Sequence, residues 1–534
     1  MCVHTENMQI TDARFLPIVS AYAEKIGLVE RIDALLDSEM EVSPGRIVLA
    51  MILDALAGRS PLFRLNEFCA DKDIELLLGE PISLSKLSDD TLGRVLDKLW
   101  EAGTTKVLGT VMLGVMQIYD LDTSHAHHDT TSCELFGDYL LYESKDHDQP
   151  FVITNGFRPD LKQLVLSLLC VDHGIPIGML MVDGNESDKT INKNLIPEMV
   201  ERMRHLGESR FVYVADSALV TKESLELIDD WDNGFLFVSR LPMTYTECKL
   251  AIRRAVIDND WDDIGVIAQV PGKGKHKGAY YRAYETTVTL HGVNYRAVVI
   301  HSDAHDKRRQ KKLDKQLDED RKQLAQIRKE FEKIEFACEP DAVDAAKRIP
   351  RLAFHRLTAS VVPKPKYGPG RPKADGARTP KEMRYCLKIT SEVNERAVEK
   401  AREEAGCFVL ITNTLPEGTE SISAGKLLAT YKEQHVLEQN FGFLKDPVFV
   451  NALFLKSPKR IEALGLVLVL ALLIWRLMER TMRINLEASE STVTGWDNRQ
   501  TSWPTSLMMT TKFKGIFVLT SAGRRSLAQP LTSV

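Results

Sequence analysis

The order of the elements between residues 124 and 216 constrains the fold of this 534-residue chain more than any other feature. "SHAHHDTTSCELFG" (124–137) has strand character. "QLVLSLLCVDHGIPIGMLMVDGN" (163–185) reads as two apolar strands joined by a tight turn at Asp172-His173-Gly174. Both of these strands look buried on two faces. "ESDKTINKNLIPEMVERMRHLG" follows as a helix. "FVYVADSAL" then gives a short buried strand, Phe211 to Ala215, with Asp216 at its C-terminal end. The succession is three strands, a helix and a fourth strand.

The chain before this block looks helical. "SPGRIVLAMILDALAG" has a serine cap, Pro44 in the first turn and a stop near Gly58. "LSDDTLGRVLDKLWEAG" repeats that logic, with Ser88 as cap, Leu92, Val95, Leu96 and Leu99 as the buried stripe, and Gly103 as stop. Neither segment reads as a helix-turn-helix.

From residue 235 to 405 the rhythm breaks. "GFLFVSRLP", "YYRAYETTVTL" and "VNYRAVVIHS" are strand-like. The charged helix of 307–335 carries Leu313, Leu317, Leu324, Ile327, Phe331 and Ile334 at heptad spacing, with Asp320 interrupting. It reads as half of a helical hairpin with a solvated outer face; a dimerising coiled coil is the other reading. "PKPKYGPGRPKADGARTPK" is a Pro/Gly/basic loop with no core-forming residues. "CFVLITN" (407–413) returns as a buried strand.

The length suggests about three domains. The net charge of −6 is no global footprint for nucleic acid, so DNA contact must come from local basic patches. None of the 8 cysteines forms a CxxC pair, which disfavours zinc ribbons and disulfide frameworks. The N-terminus, "MCVHTENMQI", has neither the basic nor the apolar region of a secretory signal. The apolar run Ala463 to Trp475 is shorter than the roughly 20 residues a bilayer requires. It reads as a buried helix, so no membrane is expected and a reducing cytoplasm is the expected location.

"YKEQHVLEQNFGFLK" (431–445) follows the 407–413 strand. On one continuous helix, Tyr431 and Lys445 lie within about 20° of Glu438, and Gln434 is its neighbour one turn earlier. The alternative is a merely solvated face. Asp129 lies in the first strand, Asp216 ends the fourth, and Glu438 sits on this helix. With 235–405 set aside, the order is β-β-β-α-β-α-β-α, the succession of an RNase H-like domain, in which the first and fourth strands are neighbours. Carboxylates from both strands and the helix then converge near the carboxyl ends of the strands. Three carboxylates suit a pair of hard cations about 3.5–4 Å apart for phosphoryl transfer.

These motifs resemble those of DDE transposases of bacterial insertion sequences, in the group marked by Tyr-x2-Arg-x3-Glu-x6-Lys. Tyr431, Glu438 and Lys445 match that spacing, and the motif's arginine falls on Gln434. "HDT" resembles the first-aspartate motif at Asp129, with His128 in place of its leading aspartate. "VADSAL" resembles the second at Asp216, with Ser217-Ala218 where Arg-Gly is usual. "GIPIGMLMVDGNESDKT" and "RIEALGLVLVLALLI" resemble the strand, turn and final helix of the same proteins. The likeness spans 120–520.

The resemblance implies an α/β protein with an RNase H-like mixed-sheet core, interrupted by a β-rich insertion with a helical hairpin and preceded by an all-α N-terminal domain. The expected boundaries are a helical, DNA-end-binding domain at 1–115, core at 116–234, insertion at 235–405, and core with a C-terminal tail at 406–534. It implies cleavage and strand transfer at the ends of an insertion sequence. Asp129, Asp216 and Glu438 would hold two Mg²⁺ ions, with Mn²⁺ able to substitute. Tyr431, Gln434 and Lys445 would contact DNA. The partners would be double-stranded DNA, as terminal inverted repeats and target, and a second copy of the chain on the paired ends. Gly370-Arg371-Pro372 resembles the core of an AT-hook, and Arg371 and Lys373 would join the DNA contacts; a solvated linker is the alternative. Lys364, Lys366 and Lys381 are further phosphate-binding candidates. His125, His127 and His128 crowd Asp129, either as a zinc site or as packing. Asp183 and Asp188 read as caps of the following helix. Two other readings remain open: a catalytically silent DNA-binding descendant, and an interaction protein built on the 307–335 helix.

Overall fold

The structure, a computed structural model, describes residues 8–57, 64–135, 162–205, 211–229, 235–267, 278–368, 380–414, 422–445, 457–521 and 523–528. The chain divides into two compact units: Met1–Pro242 together with Ile411–Val534, and Met243–Leu410.

The first unit opens on a four-residue strand, β1 (Gln9–Asp12). It pairs antiparallel with a strand at 517–521, so the N-terminal region is helical but not wholly so. The helices follow the sequence cues. Pro44–Ala57 and Asp89–Ala102 form where expected, and Ser88 Oγ accepts the Thr91 N–H at 3.4 Å. Such a cap contributes about 1 kcal/mol. Leu92, Val95, Leu96 and Leu99 are all buried, as their spacing requires. These helices share a compact unit with the sheet because both pack on Pro458–Ala488. Its stretch Ala463–Trp475 is apolar on all sides, and the helix is covered in part by helices Pro44–Ala57 and Asp89–Ala102 and in part by a sheet strand. It is long and apolar enough to cross a membrane, yet 89% of its most apolar window is buried within the protein.

The strands of this unit are β2 (His125–Leu135), β3 (Lys162–Val171), β4 (Ile175–Val182), β5 (Phe211–Ala215) and β6 (Phe235–Arg240). β2–β3 and β3–β4 are antiparallel, whereas β2–β5 and β5–β6 are parallel. Their spatial order, β4-β3-β2-β5-β6, is that of an RNase H-like sheet. The expected turn Asp172-His173-Gly174 joins β3 to β4, with φ of 39°, 60° and 98°. Gly174 is required twice over: its φ is positive, and a Cβ there would lie 2.4 Å from Val436.

Two expectations are corrected here. The fifth core strand is β6, not the 407–413 segment, because Phe235–Arg240 pairs in parallel register with β5. The core therefore runs past 234, and the second unit begins at Met243.

The second unit contains helix Thr246–Asp258, β7 (Asp262–Val266), β8 (Tyr280–Leu290) and β9 (Val293–Ser302). Helix Asp303–Phe331 follows, then helix Glu339–Lys347 and a ribbon of β10 (His355–Lys366) with β11 (Glu382–Val393). The charged helix does not pair with a second long helix, because its successor is nine residues long and packs on the ribbon. Its Leu313, Leu324 and Ile327 are buried within its own unit. Asp320, which interrupts the heptad, accepts the Phe354 N–H at 2.7 Å and so fixes the start of the ribbon. β12 (Cys407–Thr412) is the strand in which the two units meet in sequence. Within the second unit β7 pairs antiparallel with β8, and β8 with β9. The β10–β11 ribbon is a two-stranded sheet of its own. The chain closes with small antiparallel pairs, β13 (Val493–Thr494) with β14 (Gln500–Thr501), and β15 (Phe517–Ser521) with β16 (Arg524–Ala528).

Candidate active site

β2 and β5 run parallel with His127 opposite Val214. Two residues further along each strand stand Asp129 and Asp216. Asp129 shares a sheet face with His127, while His128 points to the other face. That alternation is visible in the contacts. His127 Nε2 lies 3.6 Å from Glu433, and His128 instead meets Asn192 and Ser167 at 3.2 and 2.8 Å. His128 is packing: burial pushes its imidazole down to about 4.

The carboxyl of Asp129 is pushed up to about 6, first by burial, then by repulsion from Asp216, Asp188 and Glu438, against the pull of the Thr130 N–H. Asp216 is also raised, by burial and by Asp188, against the Ala218 N–H at 2.9 Å. The two expected aspartates and the expected glutamate therefore share one electrostatic neighbourhood. Asp188 joins them as a fourth carboxylate. It does not cap its helix; Ser187 Oγ accepts the Thr190 N–H, while Asp188 accepts the Thr130 hydroxyl at 2.6 Å. Glu438 is 73% exposed and bonds His435 Nδ1 at 3.1 Å. Among the described residues, no group of three or more His, Cys, Asp or Glu side chains already stands at metal-holding geometry.

The 431–445 stretch is not one helix. Ala424–Glu433 and His435–Leu444 are separate, with Gln434 between them. Tight three-residue bonds mark the break, Gln434 N–H to Tyr431 O at 3.3 Å and Leu437 N–H to Gln434 O at 3.0 Å. The break falls where the chain is held to β2: Gln434 Nε2 donates to the His128 carbonyl at 3.4 Å, next to the Glu433–His127 pair. The single helical register expected for Tyr431, Glu438 and Lys445 does not carry across it.

Tyr431 faces the aspartates. Its hydroxyl lies above its ordinary value through burial, with Arg240 opposing and Asp216 and Asp129 adding. Lys445 is exposed and close enough to lower the Cys133 thiol, which burial pushes up to about 11. Arg371 and Lys373 lie outside the described residues. Lys364 is paired with Glu335 at 2.7 Å.

Two charged residues beside the expected aspartates do not stand out in the sequence, Asp188 and Arg240. Arg240 ends β6, and the register that sets Ala215 opposite Ser239 places Arg240 next to Asp216. The signal was present in "FLFVSRLP": had this been taken as a core strand, its carboxyl end would have pointed to Arg240.

The helix bearing Glu438 is fixed from below. Asn440 is buried and donates to the Gly174 carbonyl at 2.9 Å; Arg476 donates to Asn440 at 2.7 Å and to Glu479 at 3.0 Å.

A domain family of unknown function, DUF4277, matches residues 8–113. No curated protein matches the chain. One solved structure, a cryo-EM synaptic complex of piggyBac transposase with hairpin DNA, aligns over 96% of this chain and 83% of its own, at 9% identity and a TM-score of 0.35. A likeness of that score carries no weight for this chain's function.

Proposed function

We propose that this chain is a DNA transposase that cuts and joins the ends of an insertion sequence by metal-dependent phosphoryl transfer. The observation that carries this reading is the placement of Asp129 and Asp216, each two residues beyond the His127–Val214 pair of adjacent parallel strands, with the Asp129 carboxyl raised by burial and then by Asp216, Asp188 and Glu438. Such a cluster of hard oxygen donors fits Mg²⁺ or Mn²⁺, since a dication relieves the repulsion. Mg²⁺ is commonly held by one or two protein carboxylates, with waters and substrate phosphates completing the shell, so three closed carboxylates are not a prerequisite. Asp129 and Asp216 would hold two ions between them, and Glu438 would complete the set by turning from His435.

Bound there, two such ions supply an activated water and a neutralised leaving 3′ oxygen. The chain's own residues do the rest. Tyr431 and Arg240, beside the aspartates, position a backbone phosphate, Arg240 as a fixed charge with bidentate reach. Lys445 adds a second positive charge beyond Glu438. Gln434 offers a neutral donor at the helix break. Arg371 and Lys373 would add contacts from the basic loop, and two copies of the chain would assemble on paired terminal inverted repeats, with target DNA as the third duplex.

The second reading, a silent DNA-binding descendant, is favoured by the outward-turned Glu438 and by Gln434 where arginine is expected. Nicking of DNA that carries the gene's own flanks, in Mg²⁺ against chelator, separates the two. Cleavage that depends on Asp129 supports the transposase, and DNA retention without cleavage supports the descendant.

A further inference from the structure

A second convergence of chemistry-bearing side chains lies outside the carboxylate site. A cavity of about 220 Å³ is lined by His125, His127, His173 and Glu433, with Asp122 and Lys426 among its other walls. His127 is 5% exposed, and neither of its ring nitrogens has a hydrogen-bond partner. A buried imidazole left so is destabilising, because its desolvation goes uncompensated. Its Nε2 is 3.6 Å from the Glu433 carboxylate, too far for a hydrogen bond. Two ligands held at about 2.0–2.2 Å by one tetrahedral or trigonal cation stand about 3.3–3.7 Å apart. The gap therefore has the width an ion between them would set.

His125 is prepared for the same ligand. Ser124 Oγ lies 2.7 Å from His125 Nδ1 and donates its proton to Asp122 at 2.5 Å. An ionised Asp122 only accepts, so the serine oxygen must accept from Nδ1–H, which leaves Nε2 with a free lone pair. This outer-shell bond sets the tautomer that a ligating histidine needs. Glu433 lies below its ordinary pKa; burial raises it, but His127, His173 and His125 together prevail. Asp122 lies below its ordinary pKa: burial raises it, but the Ser124 hydrogen bonds, His125 and Lys426 together prevail.

We propose that this cavity binds one borderline transition-metal dication, of the Zn²⁺ or Co²⁺ kind, through His127, Glu433 and His125, with His173 at the rim as fourth ligand. Nitrogen-rich donors select against Mg²⁺, so the site is chemically distinct from the carboxylate one. His127 and Glu433 form the preset pair. No three donors yet surround one point among the described residues, so His125 and His173 close by side-chain rotation. Bound there, the ion ties β2, which carries Asp129, to the helix that carries Tyr431. The proposal does not depend on the transposase reading.

The test uses the full chain freed of metal by chelator and titrated with Co²⁺ alone. One Co²⁺ per chain should give the visible band of a four-coordinate site, and Zn²⁺ should displace it. Asp129→Asn should leave this unchanged. Glu433→Gln and His125→Ala, with circular dichroism matching wild type, should each weaken binding at least tenfold. X-ray absorption of the Zn²⁺-loaded wild type should show two or three imidazoles and no sulfur, a reading independent of any variant's folding. No stoichiometric binding means a water-filled cavity and overturns the proposal. So does Co²⁺ binding that survives the Glu433→Gln/His125→Ala double variant, or that is lost in Asp129→Asn.

Discussion

At the scale of single residues, Asp129 is the most informative group. Its proton is held more tightly in the folded than in the unfolded chain, since burial and like charges raise it to about 6. The stability it contributes is therefore full below about pH 4 and lost as pH rises through about 6. Asp129→Asn should make the metal-free protein more stable than wild type by about 1–2 kcal/mol at pH 7, with the difference vanishing near pH 4. Urea denaturation at the two pH values checks this. Protons and Mg²⁺ should also compete, so wild-type affinity for Mg²⁺ should climb up to about pH 6 and then level off. A second prediction concerns the missing arginine. Arg240→Ala should shrink the salt dependence of DNA binding by about one phosphate contact. Gln434→Arg should steepen it by about as much, and restore the slope in the Arg240→Ala background, since both positions flank Tyr431. A flat response at 434 would mean that the side chain stays on the His128 carbonyl. The places of Asp129 in β2, Asp216 after β5 and Glu438 on its helix were legible from the sequence because each sits at a definable point of an element. Asp188 was not, since an aspartate at a helix start reads as a cap, and only its bond to Thr130 shows otherwise.

At the scale of elements, the sequence pattern succeeded where burial is one-sided or complete, and failed where pairing decides. The stripe Leu92, Val95, Leu96 and Leu99 and the Ser88 cap marked their helix correctly. The break at Gln434 was invisible, because the period of 431–445 is unbroken and the cause is tertiary, a pull from His127 and His128 on β2. Phe235–Arg240 and Cys407–Thr412 are both short apolar runs, and nothing local says which pairs with β5. The helix bearing Glu438 depends on a polar network as well as on burial. Glu479 accepts from Arg476 and Arg483 and from the Ser506 N–H, and is 3% exposed. Glu479→Ala leaves a buried guanidinium unpaired and should cost about 3–5 kcal/mol. Denaturant titration measures it; a loss under 1 kcal/mol would mean that water replaces the carboxylate.

At the scale of the whole molecule, catalysis would reside in the unit that combines Met1–Pro242 with Ile411–Val534, since Asp129, Asp216, Glu438, Tyr431 and Arg240 all belong to it. The boundary expected at residue 115 does not separate compact bodies, because the N-terminal helices and the sheet share the helix Pro458–Ala488 as core. An all-apolar run such as Ala463–Trp475 announces burial in the sequence without saying what buries it. Asp129 and the three carboxylates around it would form a metal-dependent strand-cutting site, which can be checked in a single cleavage assay. Purified protein is incubated with supercoiled DNA carrying its own gene and flanks, in Mg²⁺ and in chelator, as wild type, Asp129→Asn, Asp216→Asn and Glu438→Gln. The account predicts Mg²⁺-dependent breaks at fixed flank positions for wild type, none for the three variants, and DNA retention within about twofold for all four, because phosphate contacts elsewhere persist. Wild-type retention without breaks, or a variant that cuts at the wild-type rate, would contradict it.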